Sequence, residues 1–245
     1  MRRCRLHVIP SSPRRIGLFL VASCLAYFGP DLLVPAAWAA TPAYPIGSAL
    51  YQGLLVLAGF VFGPALCRAL MVGAVSGGPL AATIDQANDD VDRDNLPAPP
   101  VVLFEHAMPF VLTAGLLPRR CEVFLSTGLA SRLTPPALRF LLARAAVHAT
   151  LRHRLAALVP LLIFTVALPD DPASLTAWLA SGGFLGIWLM LHWRFELAAD
   201  RQAAQASGAG AQDALCAWLA VMPPHPAWFS LHPPLRWRLR AVAHE

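Results

Sequence analysis

The 22 residues from Ile46 to Cys67 carry no charged side chain. As a helix, that length crosses the ~30 Å hydrocarbon core of a bilayer with every backbone N–H and C=O satisfied internally. Arg68 ends the run. Other segments extend the pattern. Arg2, Arg3, Arg5, Arg14 and Arg15 precede an apolar stretch, Ile16–Gly29, which resumes as Leu32–Ala40. This stretch reads either as a signal peptide with a cleavage site at Ala37-Trp38-Ala39 or as a first membrane helix over residues 16–38. The helix is preferred because further spans follow. Leu155–Leu168 is a short apolar run containing Pro160, and Pro169-Asp170-Asp171-Pro172 breaks it. Ser174–Trp193 then supplies 20 more residues without a charge. These two runs read as a membrane hairpin, with a buried hairpin of a soluble helical domain as the alternative.

Charge placement fits the membrane reading. Charged residues make up 13% of the chain, against roughly a quarter in an ordinary soluble domain. Disorder is excluded, because a disordered chain needs high charge and low hydrophobicity. All 19 basic residues are Arg. Arg2–Arg15, Arg68, the Arg144–Arg154 cluster and Arg194 abut apolar runs on one side, whereas residues 30–45 and 169–173 hold no Arg. The positive-inside rule then gives four spans, with the N-terminus, residues 85–154 and the C-terminal tail in the cytoplasm. The expected location is a bacterial cytoplasmic membrane, with lipid as a partner. No basic patch interleaved with aromatics calls for nucleic acid. The five cysteines form no C-x-x-C pair, so neither a disulfide framework nor a zinc ribbon is expected.

The organisation expected is a first membrane segment over 1–45, a second with a small-residue extension over 46–84, a strand and helix unit over 85–154, a membrane hairpin over 155–193, and a helical part over 194–245. Asp85–Asn95 with Pro97, Pro99 and Pro100 reads as a polar linker. Val101–Phe104 and Glu122–Leu125 read as strands, separated by a turn-rich segment with Gly115, Pro118, Arg119 and Arg120. Thr134-Pro135-Pro136 reads as a helix start, with the helix running from about Ala137 to Arg154. A second helix continues through Arg194 to about Ser207, and a short one lies near 211–222. The fold class is a mainly α integral membrane protein with about four transmembrane helices and a small α+β cytoplasmic domain.

Four motifs stand in order along the chain. They are Pro109-Phe-Val-Leu-Thr-Ala-Gly115, Ser126-Thr-Gly-Leu129 leading to Leu141-Leu-Ala-Arg-Ala-Ala-Val-His148, Glu196-Leu-Ala-Ala-Asp200, and His232-Pro-Pro-Leu235 with Arg238. Together with the intervening spans they resemble the HtpX-like membrane zinc metalloproteases, relatives of the CAAX prenyl proteases, over residues 45–240. The resemblance implies a zincin-like domain whose zinc is held by the two His of H-E-x-x-H and by the Glu of E-x-x-A-D. It further implies a cleft-lining strand at 109–115.

The chain departs from that pattern at its centre. Gap-free register from Gly128 puts Arg144 at the first zinc-binding His and Ala145 at the catalytic Glu. His148 falls on the second His and Glu196 on the third ligand. Asp200 matches the acid that orients a ligand, and His232 and Arg238 match substrate-side residues. Two His at i and i+4 grip one metal from a single helix face, and the intervening Glu takes a proton from metal-bound water. A guanidinium accepts no bond and cannot ligate. Arg144 is therefore expected to pair with Glu196 and to replace the metal's charge, leaving no cofactor. A rebuilt site would draw on His192 and Glu196, four apart on one face, together with His148. His153 lies about 140° round the helix from His148 and suits such a site poorly. His106 reads as a strand or loop residue.

These residues imply a pseudoprotease that binds a membrane protein or peptide segment in a vestigial groove. The alternative is an active zinc endopeptidase with a divergent metal site.

Overall fold

A computed structural model describes residues 13–167, 174–208, 210–222 and 232–243. Arg2, Arg3, Arg5 and the Pro169–Pro172 break lie outside these residues. The chain is mostly helical with one small sheet.

The apolar N-terminal half forms α1 (Pro13–Leu33), α2 (Ala36–Ala39), α3 (Ala43–Val61) and α4 (Gly63–Leu70). The charge-free run read as one span is therefore two helices. Pro64 sits in the first turn of α4, where its missing N–H costs nothing, and its ring ends α3 at Phe62. Among the described residues, α3 is the one helix long and apolar enough to cross a membrane by length and composition. Tyr51 donates to the Ala26 carbonyl at 2.7 Å and ties α3 to α1. α8 (Leu151–Ala167) packs on α3 and on α9 (Leu175–Ser207). Large apolar side chains on these helices point outward, among them Leu18, Leu25, Leu54, Ile163, Trp178 and Ile187, each more than half exposed.

The polar stretch read as a linker is instead part of a helix, α5 (Pro79–Arg93). Ile84, Ala87 and Val91 are buried on it, three to four residues apart, so one apolar stripe runs between the acidic residues. The sheet comprises β1 (Ala74–Val75), β2 (Val101–Phe104), β3 (Val111–Ala114) and β4 (Glu122–Ser126), in the order β1-β2-β4-β3. β2 and β4 are parallel, while β1 and β3 are antiparallel to their neighbours. β3 is thus an edge strand, with Leu112 opposite Phe124 and Thr113 opposite Val123.

A short helix, α6 (Thr127–Ala130), follows β4, and the buried Ser126 caps it by accepting from the Leu129 N–H at 3.1 Å. Gly128 has no room for a side chain, because a Cβ there would stand 2.2 Å from the Ala107 carbonyl oxygen. This close approach anchors the loop after β2 on α6 (Gly128 N–H to the His106 carbonyl, 2.8 Å).

α7 (Pro135–Ala149) is the centre of the core. It is buried along nearly its whole length, from Ala137 to Ala149, and packs against α5, α9 and α10 (Ala211–Val221). The helix expected to reach Arg154 breaks at Thr150, whose extended backbone (ψ 145°) separates α7 from α8. α9 is 33 residues long, about 50 Å, and carries the apolar 174–193 stretch straight into the domain. α11 (Leu235–Ala243) closes against α9 and α10.

Candidate functional site

α7, α9 and the start of α11 bring the motif residues to one place. Arg144 projects from α7, Glu196 and Asp200 from one face of α9, and Arg238 from α11. Their side chains are buried, with exposures of 8%, 5%, 0% and 3%. Arg144 donates through Nη2 to Oε2 of Glu196 and through Nε to Oδ1 of Asp200 at 2.7 Å. Arg238 grips Asp200 with two bonds, Nε to Oδ2 at 2.6 Å and Nη2 to Oδ1 at 2.8 Å. The pairing of Arg144 with Glu196 expected from the motif register is present, and Asp200 is a second partner.

Two guanidiniums and two carboxylates make the buried group neutral. Burial of ions costs several kcal/mol each unless geometry and hydrogen bonding are good. Here each Asp200 oxygen accepts at least one bond, and Glu196 Oε2 takes both Arg144 and His232 Nδ1, the latter at 2.8 Å. Burial pushes the Glu196 carboxyl up, but Arg144 and the His232 hydrogen bond outweigh it and hold the carboxyl well below the usual carboxylate range. Arg144 stays charged for the reciprocal reason. Burial opposes its charge, and Glu196 and Asp200 over-compensate.

Trp218 of α10 packs against both arginines. The Cζ of Arg144 is 4.9 Å from its ring centre and that of Arg238 is 5.0 Å. Sequence reasoning missed this residue. The only signal was a lone aromatic in a short, alanine-rich helix.

His148 stands one turn from Arg144 on α7. Its Nε2 is 3.3 Å from Oε1 of Glu196 but off the line of a hydrogen bond. Burial, reinforced by Arg144, pushes its imidazole well below the usual value, so the ring is neutral. His153 meets the His148 ring edge-on, centroids 5.5 Å apart, with Nε2 3.3 Å from the Phe195 carbonyl oxygen and Nδ1 3.0 Å from Thr150 Oγ1. His106 is a loop residue whose Nδ1 is 3.2 Å from the Met108 carbonyl oxygen. Ala145 lines the cavity and offers no titratable group.

The cavity over these residues holds about 320 Å³. Val111, Leu112 and Thr113 of β3 form one wall, and Arg144, His148, His192, Glu196 and His232 line it. Arg154 donates from Nη1 to the Thr113 carbonyl at 3.1 Å, a contact on the edge strand that the sequence did not disclose.

Zinc does not fit at the position that the motif register indicates. The residue there supplies hydrogen-bond donors and no lone pair, and it already bonds Oε2 of Glu196. The structure does gather a different trio. Ligand atoms of His192, Glu196 and His232 lie within 4.8 Å of one another. The rebuilt set expected from sequence contained His148; His232 takes that place because its ring, held before Pro233 and Pro234, turns onto Glu196.

No curated protein matches the chain. Among solved structures it is similar to the crystal structure of S. mikatae Ste24p, with a TM-score of 0.54 and 16% identity over 96% of this chain and 67% of that one. That likeness is one of fold. Residues 81–245 match the model of peptidase family M48. The match takes in the edge strand, the α7 segment with Arg144 and His148, the Glu196–Asp200 turn and the His232–Arg238 segment, and so the chain belongs to peptidase family M48.

Proposed function

We propose that this chain is a membrane-embedded member of the family that has exchanged its hydrolytic metal for a buried guanidinium and binds a polypeptide segment without cutting it. The observation that carries the reading is the double engagement of Arg144 by Glu196 and Asp200. A fixed cation takes the place of a divalent one. Ala145 supplies no base, so neither hydroxide generation nor proton transfer to a leaving amine has an agent at the register position. The groove between β3 and α7 persists, and an edge strand can pair with an extended peptide through main-chain hydrogen bonds. The occupant proposed is an extended segment of a membrane protein or peptide. The chain is proposed to sit in the cytoplasmic membrane with four spans, its α7-bearing part on the cytoplasmic side.

A second reading has one observation in its favour, the His192–Glu196–His232 trio. Two imidazoles and a carboxylate are a donor set that zinc accepts. Ligands on a tetrahedral zinc stand roughly 3.3 Å apart, so the trio, whose ligand atoms lie within 4.8 Å of one another, would have to close.

Metal analysis separates the two. Detergent-purified full chain is expected to hold far less than one zinc per molecule, while Arg144→His combined with Ala145→Glu is expected to take up zinc on titration. Stoichiometric zinc in the unaltered chain, together with casein cleavage abolished by a chelator, would overturn the proposal in favour of the second reading.

A further inference from the structure

A second cavity, of about 430 Å³, lies on the opposite face of α9 from the Arg144 group, where α8 begins. Arg152, Arg194 and Arg201 line it, and no Asp or Glu does. Glu196 and Asp200 cannot neutralise it. Arg194 and Glu196 are two residues apart on α9, about 200° round the helix, and both carboxylates are buried against Arg144 and Arg238. Among the described residues, no ion pair engages the three arginines.

The place of this groove indicates what it takes. Arg152 stands three residues before the apolar run that begins at Leu155, and Arg194 directly follows the run that ends at Trp193. Leu191 forms the groove's wall on the apolar side, and it and Leu155 are about two-fifths exposed. The pocket is therefore cationic at one end and open along hydrocarbon at the other. Basic pockets between spans on the cytoplasmic side match phosphate-bearing headgroups of anionic lipids.

We infer that the Arg152–Arg194–Arg201 groove is a binding site for an anionic phospholipid, with the phosphodiester on the guanidiniums and the acyl chains beside Leu191 and Leu155. The inference rests on the proposed membrane reading of residues 155–193.

The test uses full-length chain in detergent, titrated with phosphatidylglycerol or phosphatidylcholine, with bound lipid counted by native mass spectrometry. Phosphatidylglycerol is expected to be retained over phosphatidylcholine. Each guanidinium near a membrane surface contributes about fivefold in affinity, so Arg152→Gln, Arg194→Gln and Arg201→Gln together should weaken binding roughly 100-fold. The three corresponding Arg→Lys changes, which keep the charge, should hold binding within about fivefold of the parent. Arg132→Gln, outside the groove, should change nothing. Equal retention by the triple Gln variant overturns the site. So does displacement of the lipid by inorganic phosphate at concentrations comparable to phosphatidylglycerol, which would mark a free-anion site. Alkaline carbonate extraction tests the membrane reading separately. Protein that stays with the membranes while the Gln variant loses no lipid sinks the site alone, whereas protein released to the supernatant sinks both.

Discussion

Nε of Arg144 lies 2.7 Å from Oδ1 of Asp200, on an oxygen that also accepts from Arg238. One carboxylate thus aligns two guanidiniums. Removing the cation leaves Glu196 ionised and under-compensated in a buried setting. Arg144→Ala is expected to destabilise the protein by about 3–5 kcal/mol, the range for breaking one partner out of a buried ion pair. Chemical denaturation of the purified protein measures it. A loss within about 1 kcal/mol, the value of a solvent-exposed pair, would mean that the group is not the closed network described.

Trp218 should separate packing from cation–π attraction. Trp218→Leu keeps an apolar filler but removes the ring face from both arginines, each contact contributing about 0.5–2 kcal/mol. The loss should be roughly halved when the same change is made on an Arg144→Met background, because Arg238 still meets the ring there. Equal losses on the two backgrounds would show that Arg144 gains nothing from the ring face.

How much of this was legible in the sequence depends on range. The Arg144–Glu196 pairing followed from motif register, because a gap-free count from Gly128 fixes which residue of α7 faces α9. The strands at Val101–Phe104 and Glu122–Leu125 were legible from short β-branched and aromatic runs, and the second runs one residue further, to Ser126. What escaped was set by contacts distant in sequence. The 79–93 helix was hidden by its acidic residues, since its stripe of Ile84, Ala87 and Val91 gains meaning only when α7 covers it. The break at Thr150 was invisible because apolar periodicity runs on through it. His232 displaced His148 from the trio because loop geometry, which no local pattern encodes, turns its ring onto Glu196.

Gly128 tests the link between β4 and the loop after β2. A Cβ there would stand 2.2 Å from the Ala107 carbonyl oxygen and 2.5 Å from its carbon, both backbone atoms that cannot swing aside. Gly128→Ala should therefore cost about 1–3 kcal/mol or more by overpacking, read as a lowered melting temperature. An unchanged melting temperature would show that the loop is not fixed at this point.

The pH dependence of stability should carry the signature of a neutral His148 beside an ionised Glu196. His148 is held well below its ordinary 6.5 by burial and Arg144, so the folded chain does not take up its proton while the unfolded chain does. The unfolded state binds more protons as pH falls through 6.5, and stability then declines by up to about 1.4 kcal/mol per pH unit. Glu196, held below its ordinary 4.5, adds a second decline once pH drops past that value, because only the unfolded carboxyl protonates there. Stability is thus fully present above about pH 6.5 and is lost in two steps on acidification. His148→Gln should reduce the first step, to which His153, also held below its ordinary value by burial, adds a share, and leave the second. Melting temperatures across this range check both, and a profile for His148→Gln that still falls as steeply between pH 6.5 and 5 would mean that another group carries that step.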